Sequence, residues 1–203
     1  MEIVKAHAVL LTEFADNEDP LRTLEYYGRV SYKSEDKITD DSAPRFVKML
    51  LQHGHESVIE HVSATVKFVV DRGVSHEIVR HRIASFTQES TRYCNYKKKG
   101  VVMIEPPLPD EDARILWRKA VGVAEAIYLE MLDRGISPQI ARSVLPNCLK
   151  TELIMTANLR EWRHFFKLRT AKAAHPQMRE VTIPLLEQFQ RAFPVVFDDI
   201  TVE

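Results

Sequence analysis

The chain has 203 residues, 45% of them hydrophobic, and a formal net charge of −1; this suits one domain (1–203) with a sizeable core and argues against general nucleic-acid affinity. Its two cysteines, Cys94 and Cys148, lack paired metal-ligand spacing, which argues against a zinc site or a disulfide framework and fits a reducing cytoplasm. No stretch approaches the ~20 apolar residues of a membrane span, and the N-terminus lacks the basic start and apolar run of a signal peptide, so a soluble protein is expected.

Taken in order, residues 3–11 are apolar and β-tolerant and read as a strand. Asn17 or Asp19 caps a helix with Pro20 in its first turn, running through Leu21, Leu24 and Tyr27. Asp41 or Ser42 opens a second, with Phe46, Met49, Leu50 and His53 at helical spacing and an end near Gly54. The dense group His55-Glu56-Ser57 and Glu60-His61 follows; its histidines are six apart, which is not the i, i+4 pair of a helical zinc site, so a hydrogen-bonding loop beside a ligand is expected and no metal. The run 62–70 places Val62, Ala64, Val66, Phe68 and Val70 on one side of a half-buried strand. Asp71-Arg72-Gly73 breaks it, and the segment 74–79 reads as a short helix.

The segment 80–92 is too polar for a core. Arg80, Arg82 and Arg92 offer guanidinium forks that match phosphate or carboxylate, and Ser90 and Arg92, two apart, would share one side of an extended segment and meet one phosphate. Charge is concentrated around it: 72–99 holds seven Lys or Arg against two Glu, and 159–179 six against one. Two basic segments in a near-neutral chain point to a local anion site. Tyr93 and Tyr96 beside Lys97-Lys98-Lys99 give an aromatic pair and a basic turn.

After the prolines at 106, 107 and 109, Asp110 caps the longest helix, with Leu116, Ala120, Ala124, Ile127 and Met131 as its expected apolar face and Gly135 at its end. Ser137-Pro138 starts a short helix that puts Gln139 and Arg142 on one face and stops before Pro146. Residues 151–157 read as a strand. A helix from Leu159 buries Leu159, Trp162 and Phe166, and a last helix after His175-Pro176 turns Met178, Val181, Leu185 and Phe189 inward. Few strands and many amphipathic helices give an α+β class: one domain, with a small, mostly antiparallel sheet flanked by helices.

The order Arg80-His81-Arg82, two residues, Ser85, four residues, Ser90, one residue, Arg92 resembles the signature of the flavin-dependent thymidylate synthases. Its six fixed positions recur by chance at on the order of one start site in 10^8, so the signal is specific. Collinear likeness continues in His55-Glu56-Ser57, in Ala141-Arg142-Ser143, and from Asn158-Leu159-Arg160 to Arg169.

The resemblance implies conversion of deoxyuridylate (dUMP) to thymidylate (dTMP), with methylenetetrahydrofolate as carbon donor, NADPH-reduced FAD as hydride source and no enzymic cysteine nucleophile. It implies that Arg169 activates the uracil. The dUMP positions it implies are Glu77, Arg80, Gln88, Glu89, Ser90, Thr91, Arg92, Arg142 and Arg169. Those for FAD are Ser57, Arg80, His81, Arg82, Gln88, Asn158, Arg160 and His164, with His55 near the folate. It further implies a homotetramer with sites shared between subunits, and no nucleic-acid or membrane partner. Glu77, Gln139 and His164 stand where the family more often has Gln, Glu and Asn. Two alternatives from other classes are a single-strand nucleic-acid-binding module, using Tyr93 and Tyr96 as stacking platforms, and a flavin-dependent NADPH oxidase.

Overall fold

The apolar run at the N-terminus forms two strands, not one: β1, Glu2–Val4, and β2, His7–Leu10. β1 pairs in parallel with β5, Val102–Ile104, in the register Ile3 with Met103. The computed structural model describes residues 1–14, 19–97 and 100–202. Their packing falls into two units, each assembled from separate stretches of chain.

The first unit comprises Met1–His7, Phe68–Arg80 and Phe86–Ile154. Its long helix α4, Glu111–Asp133, starts as expected: the Asp110 carboxylate accepts from the Ala113 N–H at 2.8 Å, and Glu111 and Asp112 complement the positive helix end. Its inward face differs from the one expected. Val121, Tyr128 and Leu132, with Trp117, pack against Val101, Met103, Ala141 and Leu149, while Leu116 is 69% exposed and Ile127 43%. The helix carries apolar residues on two sides, and the core takes the side with the aromatic rings. α3, Arg72–Ile78, is capped by Asp71, whose carboxylate accepts from Val74 N–H at 2.6 Å; α5 is the single turn Pro138–Ala141.

The second unit comprises Ala8–Lys67, His81–Ser85 and Met155–Glu203. Asp19 caps α1, Pro20–Tyr32, by accepting from Leu21 N–H at 2.8 Å; Asn17, the other candidate, lies outside the described residues. α1 approaches α2, Ser42–Gln52, so closely at Gly28 that a Cβ there would lie 2.6 Å from the Phe46 ring. A 3-10 turn, Glu56–His61, follows α2. The core is aromatic: Trp162, Phe165 and Phe166 of α6, Leu159–Arg169, meet Phe189 of α7, Pro176–Ala192, and Phe197, with rings 4.9–5.9 Å apart. Met178, Val181, Leu185 and Phe189 are buried as the periodicity requires.

A four-stranded sheet has the order β2-β3-β6-β4, with β3 at Ser63–Asp71, β4 at Ala84–Gln88 and β6 at Lys150–Asn158. In β3 the expected alternation holds, with Ala64, Val66, Phe68 and Val70 buried. The class is α+β, a small antiparallel sheet plus the parallel β1–β5 pair. Among the described residues, no helix is long and apolar enough to cross a membrane.

Candidate active site

In the second unit the site begins where β6 becomes α6 without a loop. Asn158 ends the strand and caps the helix, its Oδ1 accepting from Glu161 N–H at 2.9 Å. That start brings Asn158, Arg160 and His164 to one cleft of about 590 Å³, lined also by Glu56, Glu60, Ile83, Glu161, Arg163 and Lys167. Arg160 donates to Glu60 at 2.5 Å and lies 3.4 Å from Glu56. Arg163 is buried and forks onto Asp199 at 2.6 and 2.7 Å, a hydrogen-bonded pairing that holds the Asp199 carboxyl below its ordinary range.

His81 and Arg169, 88 residues apart in the chain, meet here: Arg169 Nε donates to His81 Nε2 at 3.1 Å. The other imidazole nitrogen, Nδ1, lies 3.0 Å from Glu161 Oε1. Burial pushes the His81 pKa below its ordinary 6.5; the Glu161 hydrogen bond opposes that shift, and the nearby Arg169 charge adds to it. Because the unfolded chain then binds the proton more readily than the folded one, stability is lost as pH falls through about 6.5. Urea titrations from pH 7.5 to 5.5 are expected to show this loss and His81→Gln to flatten it; an equal slope in both proteins removes His81 as its source.

His81, Glu161 and His164 hold donor atoms within 4.8 Å of one another, a spacing that a metal ion accepts. Both His81 nitrogens are already engaged, however, and a cation there would face the Arg169 guanidinium. Of the other flavin positions implied by the resemblance, Ser57 and Arg82 are exposed and do not line the cleft. His55 is exposed as well, its Nδ1 2.9 Å from the Tyr32 hydroxyl.

In the first unit a second group forms around the end of β4. Gln88 Nε2 donates to Ser75 Oγ at 2.9 Å and Thr151 Oγ1 at 3.2 Å. Glu89 accepts from the Tyr96 hydroxyl at 2.9 Å and lies 3.5 Å from Lys150 Nζ. Burial, with the Glu89 hydrogen bond second, drives the Tyr96 hydroxyl strongly upward in pKa, so it stays a donor. Arg142 Nη1 donates to Thr91 Oγ1 at 2.6 Å, joining two positions 51 residues apart. Glu77 sits half-buried on α3 and Arg80 is exposed just beyond it.

The extended reading of Ser90 and Arg92 does not hold. Tyr93 and Cys94 donate their N–H groups to Ser90 O at 3.2 and 2.9 Å, and Arg92 N–H lies 3.3 Å from Ser90 Oγ, so the chain turns there. The Arg92 guanidinium stands 5.7 Å from the Tyr93 ring centre, and both residues are exposed. Tyr96 is tied to Glu89 and half-buried, which removes it as a stacking platform. Lys98 and Lys99 lie outside the described residues.

Sequence reasoning set the Glu56 and Glu60 loop beside a ligand, and both line the cleft, but it missed Glu161, Ile83, Arg163 and Lys167. The one available signal was Glu161, the single acid in a strongly basic helix.

The profile of the family described as Thymidylate synthase complementing protein matches residues 12–195. A flavin-dependent thymidylate synthase of Pyrococcus furiosus is 35% identical over 175 residues, 83% of this chain and 71% of that protein. One from Mycobacteroides abscessus is 33% identical over 199 residues, 88% and 79% of the two chains. Among solved structures, a UMP/dUMP methylase, PolB from Streptomyces cacaoi bound with 5-Br dUMP, superposes with a TM-score of 0.82 at 25% identity, covering 98% of this chain and 96% of that one. Fold and sequence together define a methyltransferase. The chain belongs to the flavin-dependent thymidylate synthase family.

Proposed function

We propose that this protein converts dUMP to dTMP, taking the carbon from methylenetetrahydrofolate and the hydride from FAD reduced by NADPH, and that residues 1–203 work as one domain. The observation that carries this reading is the 3.1 Å contact between His81, in the Arg-His-Arg motif, and Arg169, the position matching the uracil-activating arginine.

The residues present fit a flavin dinucleotide. The cleft's 590 Å³ falls within the ~300–1,000 Å³ of ligand pockets, Arg160 and Lys167 supply cations for a diphosphate, and Ile83 supplies an apolar surface for a flat ring. Arg160 would exchange Glu56 and Glu60 for the diphosphate, while Asn158 and His164 would contribute polar contacts. Ser57, Arg80, Arg82 and Gln88 complete the positions assigned to the cofactor, with His81, buried and bonded at both ring nitrogens, serving it through Arg169, and His55 is assigned to the vicinity of the folate. When bound, the flavin supplies the hydride.

Arg169 stabilises the negative charge that develops on the uracil ring, at a fixed dipole's small reorganisation cost. Thr91 and Arg142, already joined, bind the nucleotide with Glu77, Arg80, Gln88, Glu89, Ser90 and Arg92. No thiol is assigned as nucleophile: burial pushes the Cys148 thiol up in pKa. Replacing Cys94 and Cys148 together with serine is expected to leave turnover within about threefold of the parent; complete loss in a folded protein would restore a thiol mechanism.

The second apolar side of α4 supports a homotetramer with sites shared between subunits. Leu116, Val123 and Ile127 follow one another at helical spacing and are 69, 59 and 43% exposed. A cytoplasmic location is supported by the two free cysteines. The decisive test of function is an anaerobic incubation with dUMP, methylenetetrahydrofolate and NADPH. Thymidylate is the expected product; flavin-loaded protein that oxidises NADPH and yields none overturns the reading.

A further inference from the structure

We infer that Glu161 and His81 are positioning residues for Arg169: Glu161 holds His81 in its Nδ1–H form, and His81 Nε2 then accepts from Arg169 and sets the plane of the guanidinium. The inference rests on the role proposed above for Arg169.

The tautomer follows from the donors. A guanidinium has only N–H groups, so the Arg169 Nε contact at 3.1 Å requires a lone pair on His81 Nε2. The neutral ring then carries its proton on Nδ1 and donates it to Glu161 Oε1 at 3.0 Å. The reverse tautomer would set an N–H against an N–H at Arg169 and leave a lone pair against the carboxylate. Both ends thus select the same form.

The relay is held on every side. Glu161 and His81 are 8% and 4% exposed. Asn158 fixes the Glu161 backbone through its N–H at 2.9 Å, and the Phe165 ring meets the imidazole edge-on, centres 4.9 Å apart. Among the described residues, the charged or titratable groups that act most on His81 are Glu161, His164 and Arg169, all from α6. Burial and the Arg169 charge favour the neutral ring, which is the form that accepts. A neutral acceptor orients the arginine's fork without itself adding charge beside the reacting ring.

Imidazole nitrogen NMR on the flavin-loaded protein at pH 7.5, with His81 assigned through His81→Gln, tests the arrangement directly. A neutral ring protonated at Nδ1 is expected; an imidazolium, or a ring protonated at Nε2, overturns the proposal. In Glu161→Gln the side-chain amide donates as readily as it accepts, so only the Arg169 contact still selects the tautomer and the ring is held less firmly. Its kcat for thymidylate, per bound flavin, is expected to fall about 10- to 100-fold with KM for dUMP within about twofold, and Glu161→Asp to recover part of the loss. Wild-type kcat in Glu161→Gln, or a loss confined to KM, also overturns it. The NMR result decides the relay even in a protein that forms no thymidylate, an outcome that instead removes the function on which it rests.

Discussion

Arg169→Ala is expected to lower thymidylate formation roughly 10²- to 10³-fold, the scale for removing one donor aimed at developing charge. Flavin content is expected to stay near that of the parent, because the residues lining the cleft do not include Arg169. Loss of the guanidinium also removes a charge that holds His81 in its neutral form, so the His81 pKa is expected to rise in the variant. Initial rates under anaerobic conditions, with flavin absorbance measured on the same preparation, check both parts. Unchanged product formation would take Arg169 out of the chemistry.

Trp162→Ala is expected to cost about 3–5 kcal/mol. Trp162 is fully buried, touches the rings of Phe165, Phe166 and Phe189 at 4.9–5.9 Å, and donates its indole N–H to Ala64 O at 3.0 Å. Alanine leaves a cavity among those rings and removes the donor to that buried carbonyl. For a chain of this size the change corresponds to a fall in Tm of about 10 °C. Calorimetry reads it directly; a fall of only a degree or two would mean that the aromatic cluster collapses around the gap.

How far the sequence could be read depended on how many faces each element offers. β3, β6 and α7 each have one clean period, and their buried residues follow it; α6 buries Leu159, Trp162 and Phe166 as its period requires, but Glu161, Arg163 and Phe165 as well. α4 does not: with Leu116 and Ile127 on one side and Trp117, Val121 and Tyr128 on another, periodicity alone cannot say which side the core takes. β5 is three residues long and finds β1 about 100 residues away, so neither alternation nor a hairpin turn announces it.

At the site, the motif brought out His81 and the C-terminal likeness brought out Arg169, and they do meet. What joins them to Glu161 was signalled only by a lone acid in a basic helix, which reads equally well as a solvated residue. The turn at Ser90 was misread for a related reason. Alternation implies a pleat only while backbone N–H groups pair along a strand, and here they turn back onto Ser90 itself.

Asn158 is both the last residue of β6 and the cap of α6, so nothing between them takes up slack. A single residue inserted between Asn158 and Leu159 would swing Arg160, His164 and Arg169 by about 100° around the helix axis and push them ~1.5 Å along it. Natural length variation in this protein is therefore expected to avoid that seam, and a one-residue insertion there makes a sharper lesion than many substitutions: it would dismantle the cleft wall and the arginine's anchorage in one step.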